Sequence, residues 1–189
     1  MKRVVYRIVT NYQDISTCYH EAGHIICALL SFCEVSSAEI KSAEEAYTYY
    51  DCPNIDTTQS RLRLSLIKKE IGIRYAGVLS EKIFFENLHP TDKMPISIRI
   101  GSSDDFKTAS DILKKYNISK PGKQRSKFKN KIKTNINSKL KNNWQDVALI
   151  ANLLLDKKKI TYNKIKNCLL KKSSSKKWNK IFFKIENKN

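Results

Sequence analysis

Long hydrophobic runs are missing from this 189-residue sequence: the longest uninterrupted apolar stretch, Ile25 to Leu30, falls far short of the roughly 18 to 20 residues that cross a bilayer. The opening "MKRVVYRIVTNYQD" starts basic, but Arg7 interrupts its short apolar run, so it makes a poor signal peptide. The expectation is a soluble, cytoplasmic chain. Paired cysteine motifs are missing too. The five cysteines (Cys18, Cys27, Cys33, Cys52, Cys168) are odd in number and include no C-x-x-C, which argues against a disulfide framework and against a cysteine-based zinc knuckle. Most of them are expected to be small core residues in a reducing compartment. Cys18 and Cys27 fall in the apolar part of the opening helix, a poor place for a thiol nucleophile.

Acidic residues are nearly absent from the last 40% of the chain. Residues 112–189 hold 3 Asp and Glu against 23 Lys and Arg, whereas residues 1–111 hold 15 against 13. None lies between Ile112 and Gln145, while "KPGKQRSKFKNKIKTNINSKLKNNW" repeats lysine. Such a run suits an anionic partner: nucleic acid, a membrane surface or an acidic protein. A solvated face enriched in Lys, Asn and Ile by AT-rich coding is the bland counterpart.

The 41% of hydrophobic residues is enough for one core. Apolar spacing predicts helices over 13–32, with Asp14 or Ser16 as candidate N-cap, and over 60–86, packed by Leu66, Ile67, Ile71, Tyr75, Val78, Leu79 and Ile83. Gly77 in the middle of the second suits a close helix contact that needs a missing side chain. The segment 34–58 alternates weakly and suits one or two short strands. A loop follows to Ser103 or Asp104, which can cap a helix through Tyr116. Phe128, Ile132, Ile136 and Leu140 then describe a basic amphipathic helix, and two more helices follow, the last capped by Thr161. The fold class is mainly α with a small strand element. One domain is expected over 1–172, with a metal-site core at about 12–116, basic helices at about 124–172, and a basic tail over 173–189.

The chemistry is concentrated in "TCYHEAGHIICALL", Thr17 to Leu30. His20 and His24 are one helical turn apart on one face, within reach of a single cation. Catalytic zinc needs three protein ligands and an open position. Glu21 can point into that position as a general base. Gly23, inside the motif, is costly in a helix unless something packs closely there. Two stretches offer a third ligand. Glu81 sits among apolar neighbours in "YAGVLSEKIFF", where it could be a ligand or hold a ligating histidine. Asp104 and Asp105 sit at a loop-to-helix junction in "GSSDDFKTAS", where the alternative role, a helix cap, suits Asp104 better.

Taken together, "TCYHEAGHIICALL", "IRYAGVLSEKIFF" and "GSSDDFKTASDIL" resemble the peptidase domain of the FtsH-type ATP-dependent zinc proteases. Cys18 and Ser80 stand where that family usually has alanine. Ala76, Gly77 and Glu81 match its second block, and Gly101, Ser103, Asp105, Ala109 and, conservatively, Ser110 match its third. "WQDVALIANLLLDKKKITYNKI" is similar to its closing helices. The resemblance spans roughly residues 12–170. It implies a helical zincin-like peptidase domain with Zn²⁺ held by His20, His24 and Asp105, Glu21 as base, and Glu81 in support. This sequence shows no G-x-x-x-x-G-K-[ST] loop and is expected to carry no membrane anchor, both departures from the family, and Glu34–Thr58 lacks a clear version of the family's glycine-containing strand segment. The expectation is therefore a zinc metallo-endopeptidase that hydrolyses flexible or unfolded protein segments with metal-activated water, or borrows an ATPase partner in trans. The alternative is a catalytically weak or inactive peptidase fold acting as a basic nucleic-acid or anionic-membrane binding protein.

Overall fold

Helices α1 (Lys2–Leu30) and α2 (Ser60–Leu88) form the framework. The computed structural model describes residues 2–42, 45–56, 60–90, 103–118, 122–173 and 175–187. The expected loop across 91–102, with Gly101, lies outside the described residues, as does 119–121. The fold is mainly α with a small strand element, as the spacing predicts.

Helix α1 buries Cys18, Ala22, Ile25, Ile26 and Leu29; of the apolar positions its spacing picks out, Ile25, Ile26 and Leu29 are buried and Leu30 is half-buried. It runs through Asp14 and Ser16, so neither is an N-cap. The buried Ser16 hydroxyl instead donates to Glu81 Oε1 at 3.0 Å. At the other end Phe32 adopts a left-handed conformation, φ 60°, and the Cys33 amide donates back to the Ala28 carbonyl, a turn that closes the helix. Helix α2 buries Ile67, Ile71, Ile73, Tyr75 and Ile83, while Leu66, Val78 and Leu79 are only half-buried. The two helices touch backbone to backbone. A Cβ added at Gly23 would sit 2.5 Å from the Ala76 carbonyl oxygen and 2.6 Å from Ser80 Cβ, so the glycine within the motif sets this approach.

Between them the chain makes β1 (Glu34–Ile40) and β2 (Ala46–Asp51); β3 (Lys159–Thr161) joins later, giving an antiparallel sheet ordered β2-β1-β3. A bulge between Val35 and Ser37 turns both Val35 and Ala38, three residues apart, into the core. That extra residue is why the sequence alternates so weakly here. The register pairs Glu34 with Asp51, which places Cys33 and Cys52 opposite each other one step beyond, where they form a disulfide. The expectation that most of the cysteines are reduced core residues fails at this pair, because hairpin register is not written in cysteine spacing. Cys18, Cys27 and Cys168 are free. Burial pushes the Cys18 thiol up to about 11 and Cys27 up to about 12, leaving neither suited to nucleophilic attack. The bonded pair closes a segment of 19 residues' separation, so Cys33→Ser with Cys52→Ser is expected to cost about 3 kcal/mol in denaturant unfolding. Thiol titration of the unfolded wild type should count three thiols before reduction and five after.

Helix α3 (Ser103–Lys115) packs against α2, and α4 (Lys123–Asn142) packs against it through Ile132 and Ile136. Helices α5 (Trp144–Lys157) and α6 (Tyr162–Lys172) follow. Thr161 does precede α6 in the N-cap position, but its side chain makes no capping bond. The stretch 173–189 is more than a basic tail: Ser175–Glu186 forms helix α7, and Trp178, Ile181, Phe182 and Ile185 join the same buried cluster as α1 and α2. Its apolar residues recur at i, i+3, i+4 and i+7 among lysines, the pattern of a docked helix. Among the described residues no helix is long and apolar enough to cross a membrane.

Candidate metal centre

The motif turn of α1 faces α2 across the gap that Gly23 opens, and α3 closes the far side. His20 and His24 have nearly buried side chains, 12% and 8% exposed, with ring centroids 4.7 Å apart. Each ring is held at Nδ1. His24 Nδ1–H donates to the Ile73 carbonyl at 2.7 Å, and His20 Nδ1 pairs with Glu81 Oε2 at 2.9 Å. A backbone carbonyl can only accept, so the His24 proton sits on Nδ1 and Nε2 faces the interior of the site. Both Nε2 atoms converge on one oxygen: Asp105 Oδ2 lies 3.0 Å from that of His20 and 3.1 Å from that of His24.

The two carboxylates that sequence offered as third ligand thus take different places. Asp105, in the first turn of α3, shares the Nε2 side with both rings; Glu81, on α2, braces the opposite nitrogen of one ring and accepts from Ser16. Asp104 is exposed on the outer side of the same turn. Arg74 reaches Asp105 Oδ1 at 3.8 Å, donates through Nε to Glu70 at 3.3 Å, and stacks over Tyr50, whose hydroxyl also bonds Glu70.

Charge follows from this packing. Burial works to deprotonate His20, but the hydrogen bonds to Asp105 and Glu81 outweigh it and hold the imidazole well above its usual range. Burial likewise works against ionised Asp105, yet its bonds to His20 and His24 keep the carboxyl well below the usual carboxylate range.

Glu21 is buried beside the rings, and the ligand atoms of His20, Glu21 and His24 all lie within 4.8 Å of one another. Its Oε2 accepts from the Thr48 hydroxyl at 2.6 Å. Thr48 is on β2, an edge of the sheet, so the hairpin reaches over to orient the glutamate. No sequence signal pointed to Thr48 or Arg74. Thr48 and Arg74 also line a groove of about 630 Å³, together with Tyr50, Asp51, Leu66 and Glu70, that opens next to the site.

Gly77 serves the close helix contact expected of it, and what α1 presents there is the pair of imidazoles. A Cβ there would lie 2.4 Å from His20 Nε2 and 2.5 Å from His24 Nε2, so the missing side chain leaves room beside the ring nitrogens. Tetrahedral zinc with nitrogen and oxygen ligands at roughly 2.0 to 2.1 Å keeps its donors about 3.3 Å apart. The separations of 3.0 and 3.1 Å between Nε2 and Oδ2 are close to that spacing, and the donor set, two imidazoles and a carboxylate, is one that zinc accepts. The residues present therefore fit such an ion. Compared with known proteins, the chain matches no family model and no curated sequence.

Proposed function

We propose that the chain is a zinc-dependent endopeptidase of the FtsH peptidase type, with His20, His24 and Asp105 as ligands and Glu21 as general base. One observation carries the reading: two imidazole nitrogens and one carboxylate oxygen converge from α1 and α3 on a space that Gly77 keeps free, with a buried glutamate alongside. When bound there, zinc would act as a Lewis acid on water and on the scissile carbonyl. The chain's own residues do the rest. Glu21 takes the proton of the attacking water and returns it to the leaving amine. Thr48 fixes one of its oxygens, leaving the other for the proton. Glu81 and the Ile73 carbonyl hold the rings so that Nε2 faces inward, and Arg74 steadies the far oxygen of Asp105. The groove alongside is lined by polar and apolar side chains alike, with Asp51, Glu70 and Arg74 beside Tyr50 and Leu66, which suits an extended, unfolded segment better than a folded domain. Folded substrates would need an ATPase partner in trans. The cytoplasm expected from the sequence has the Cys33–Cys52 bond against it, since cytosolic thiols are mostly kept reduced.

The test is metal analysis beside cleavage of casein. About one zinc per chain is expected, with cleavage lost to a chelator and restored by zinc. Protein that neither holds zinc nor cuts would refute the reading. Within the site, Asp105→Ala should lose zinc, whereas Glu81→Gln should weaken it only about 10- to 100-fold, as a residue bracing a ligand does. Competition against a chromophoric chelator measures both, and the reverse order would make Glu81 the ligand. Thr48→Val should lower kcat roughly tenfold with zinc content unchanged, because it frees the base without touching a ligand.

A further inference from the structure

Helix α4 carries eight basic residues and no acidic one over Lys123–Asn142. All of its large apolar side chains face inward: Ile132, Ile136 and Leu140 are buried, and Phe128 is half-buried against the same core. Its exposed face holds Lys127, Lys131, Lys139 and Lys141, and every other exposed position on it is Gln, Ser, Asn or Thr. Among the described residues none of these four lysines has a carboxylate partner. Some lysines elsewhere do: Lys115 pairs with Asp56, Lys166 with Glu186 and Lys177 with Asp146. At 100° per residue, Lys127, Lys131 and Lys141 fall within about 80° of one another around the axis and span about 21 Å along it.

We propose that this face of α4 binds the phosphate backbone of duplex nucleic acid without regard to sequence. The occupant follows from the chemistry of the face. A strip of unpaired ammonium groups matches a row of phosphates, and Ser, Thr, Asn and Gln are the neutral side chains that also bond phosphate oxygens. A helix that lies on a membrane needs Trp, Phe or Leu on its outward face, and α4 has turned its apolar side chains inward. Single strands are gripped by stacking bases on aromatic rings, and this face exposes no ring. The binding face is built from side chains separate from His20, Glu21, His24 and Asp105, so it stands whether or not the centre is catalytic.

The experiment is fluorescence anisotropy of the full chain with a 20-base-pair DNA duplex of arbitrary sequence across a salt series. With about four phosphates neutralised, affinity should fall about a hundredfold between 50 and 200 mM salt. The variant K127Q/K131Q/K139Q/K141Q should bind at least tenfold more weakly at 50 mM and flatten the salt slope. A second variant, K164Q/K171Q/K176Q/K180Q, removes the same charge from exposed positions on α6 and α7 and should retain most of the affinity. Equal losses in the two variants would overturn the proposal, as would absence of binding at 50 mM salt. Tighter binding to phosphatidylserine vesicles than to the duplex would overturn it in favour of a membrane surface.

Discussion

Gly77→Ala should leave the chain folded and unable to hold zinc. The added methyl would sit 2.4 Å and 2.5 Å from the two Nε2 atoms and 2.6 Å from His20 Cδ2, all far inside van der Waals contact. Relief has two routes, and each destroys the site. Either the rings swing away, breaking the Nδ1 bonds to Glu81 and Ile73, or α1 and α2 part and lose the approach that Gly23 allows. Helix propensity works the other way, since alanine within α2 gains up to about 1 kcal/mol over glycine. Circular dichroism should therefore stay helical while bound zinc drops from about one per chain to near zero. Gly72→Ala is the control on the same helix. Its Cβ meets Ile136 Cδ1 at 2.9 Å, the free end of a flexible side chain, so zinc should remain.

Glu21→Gln should cost at least about 10²-fold in kcat with zinc retained. Glutamine has the same shape, and its carbonyl oxygen can still accept from Thr48, so the hairpin and the two rings keep their places. What it lacks is the ability to take a proton. The paired readout matters: lost cleavage with lost zinc would mean that Glu21 supports the metal, while lost cleavage with zinc intact identifies the base. Cleavage at the wild-type rate would remove Glu21 from the chemistry.

The helical part of this fold could be read from spacing, and so could the pairing of His20 with His24. Helical period carries both, and neither depends on distant contacts. Which carboxylate shares the Nε2 side of the two rings did not follow from the residues. Glu81 and Asp105 are both carboxylates near the rings; Glu81 meets Nδ1 of His20 alone and Asp105 meets Nε2 of both rings, a matter of how α2 and α3 pack. Thr48 was hidden because the hairpin carries a bulge and its register decides which residue reaches Glu21. The same register brought Cys33 to Cys52. Strand β3, three residues long, is too short to show a period. Helix α7 is legible in the spacing of Trp178, Ile181, Phe182 and Ile185, but the lysines between them give the same stretch the composition of a basic tail.

X-ray absorption at the zinc edge, on the chain loaded with one equivalent of zinc, tests the central claim most directly. The predicted result is a shell of nitrogen and oxygen near roughly 2.0 to 2.1 Å with the outer scattering of two imidazoles and no sulfur. A sulfur shell near roughly 2.3 Å, or the scattering of fewer than two imidazoles, would contradict it.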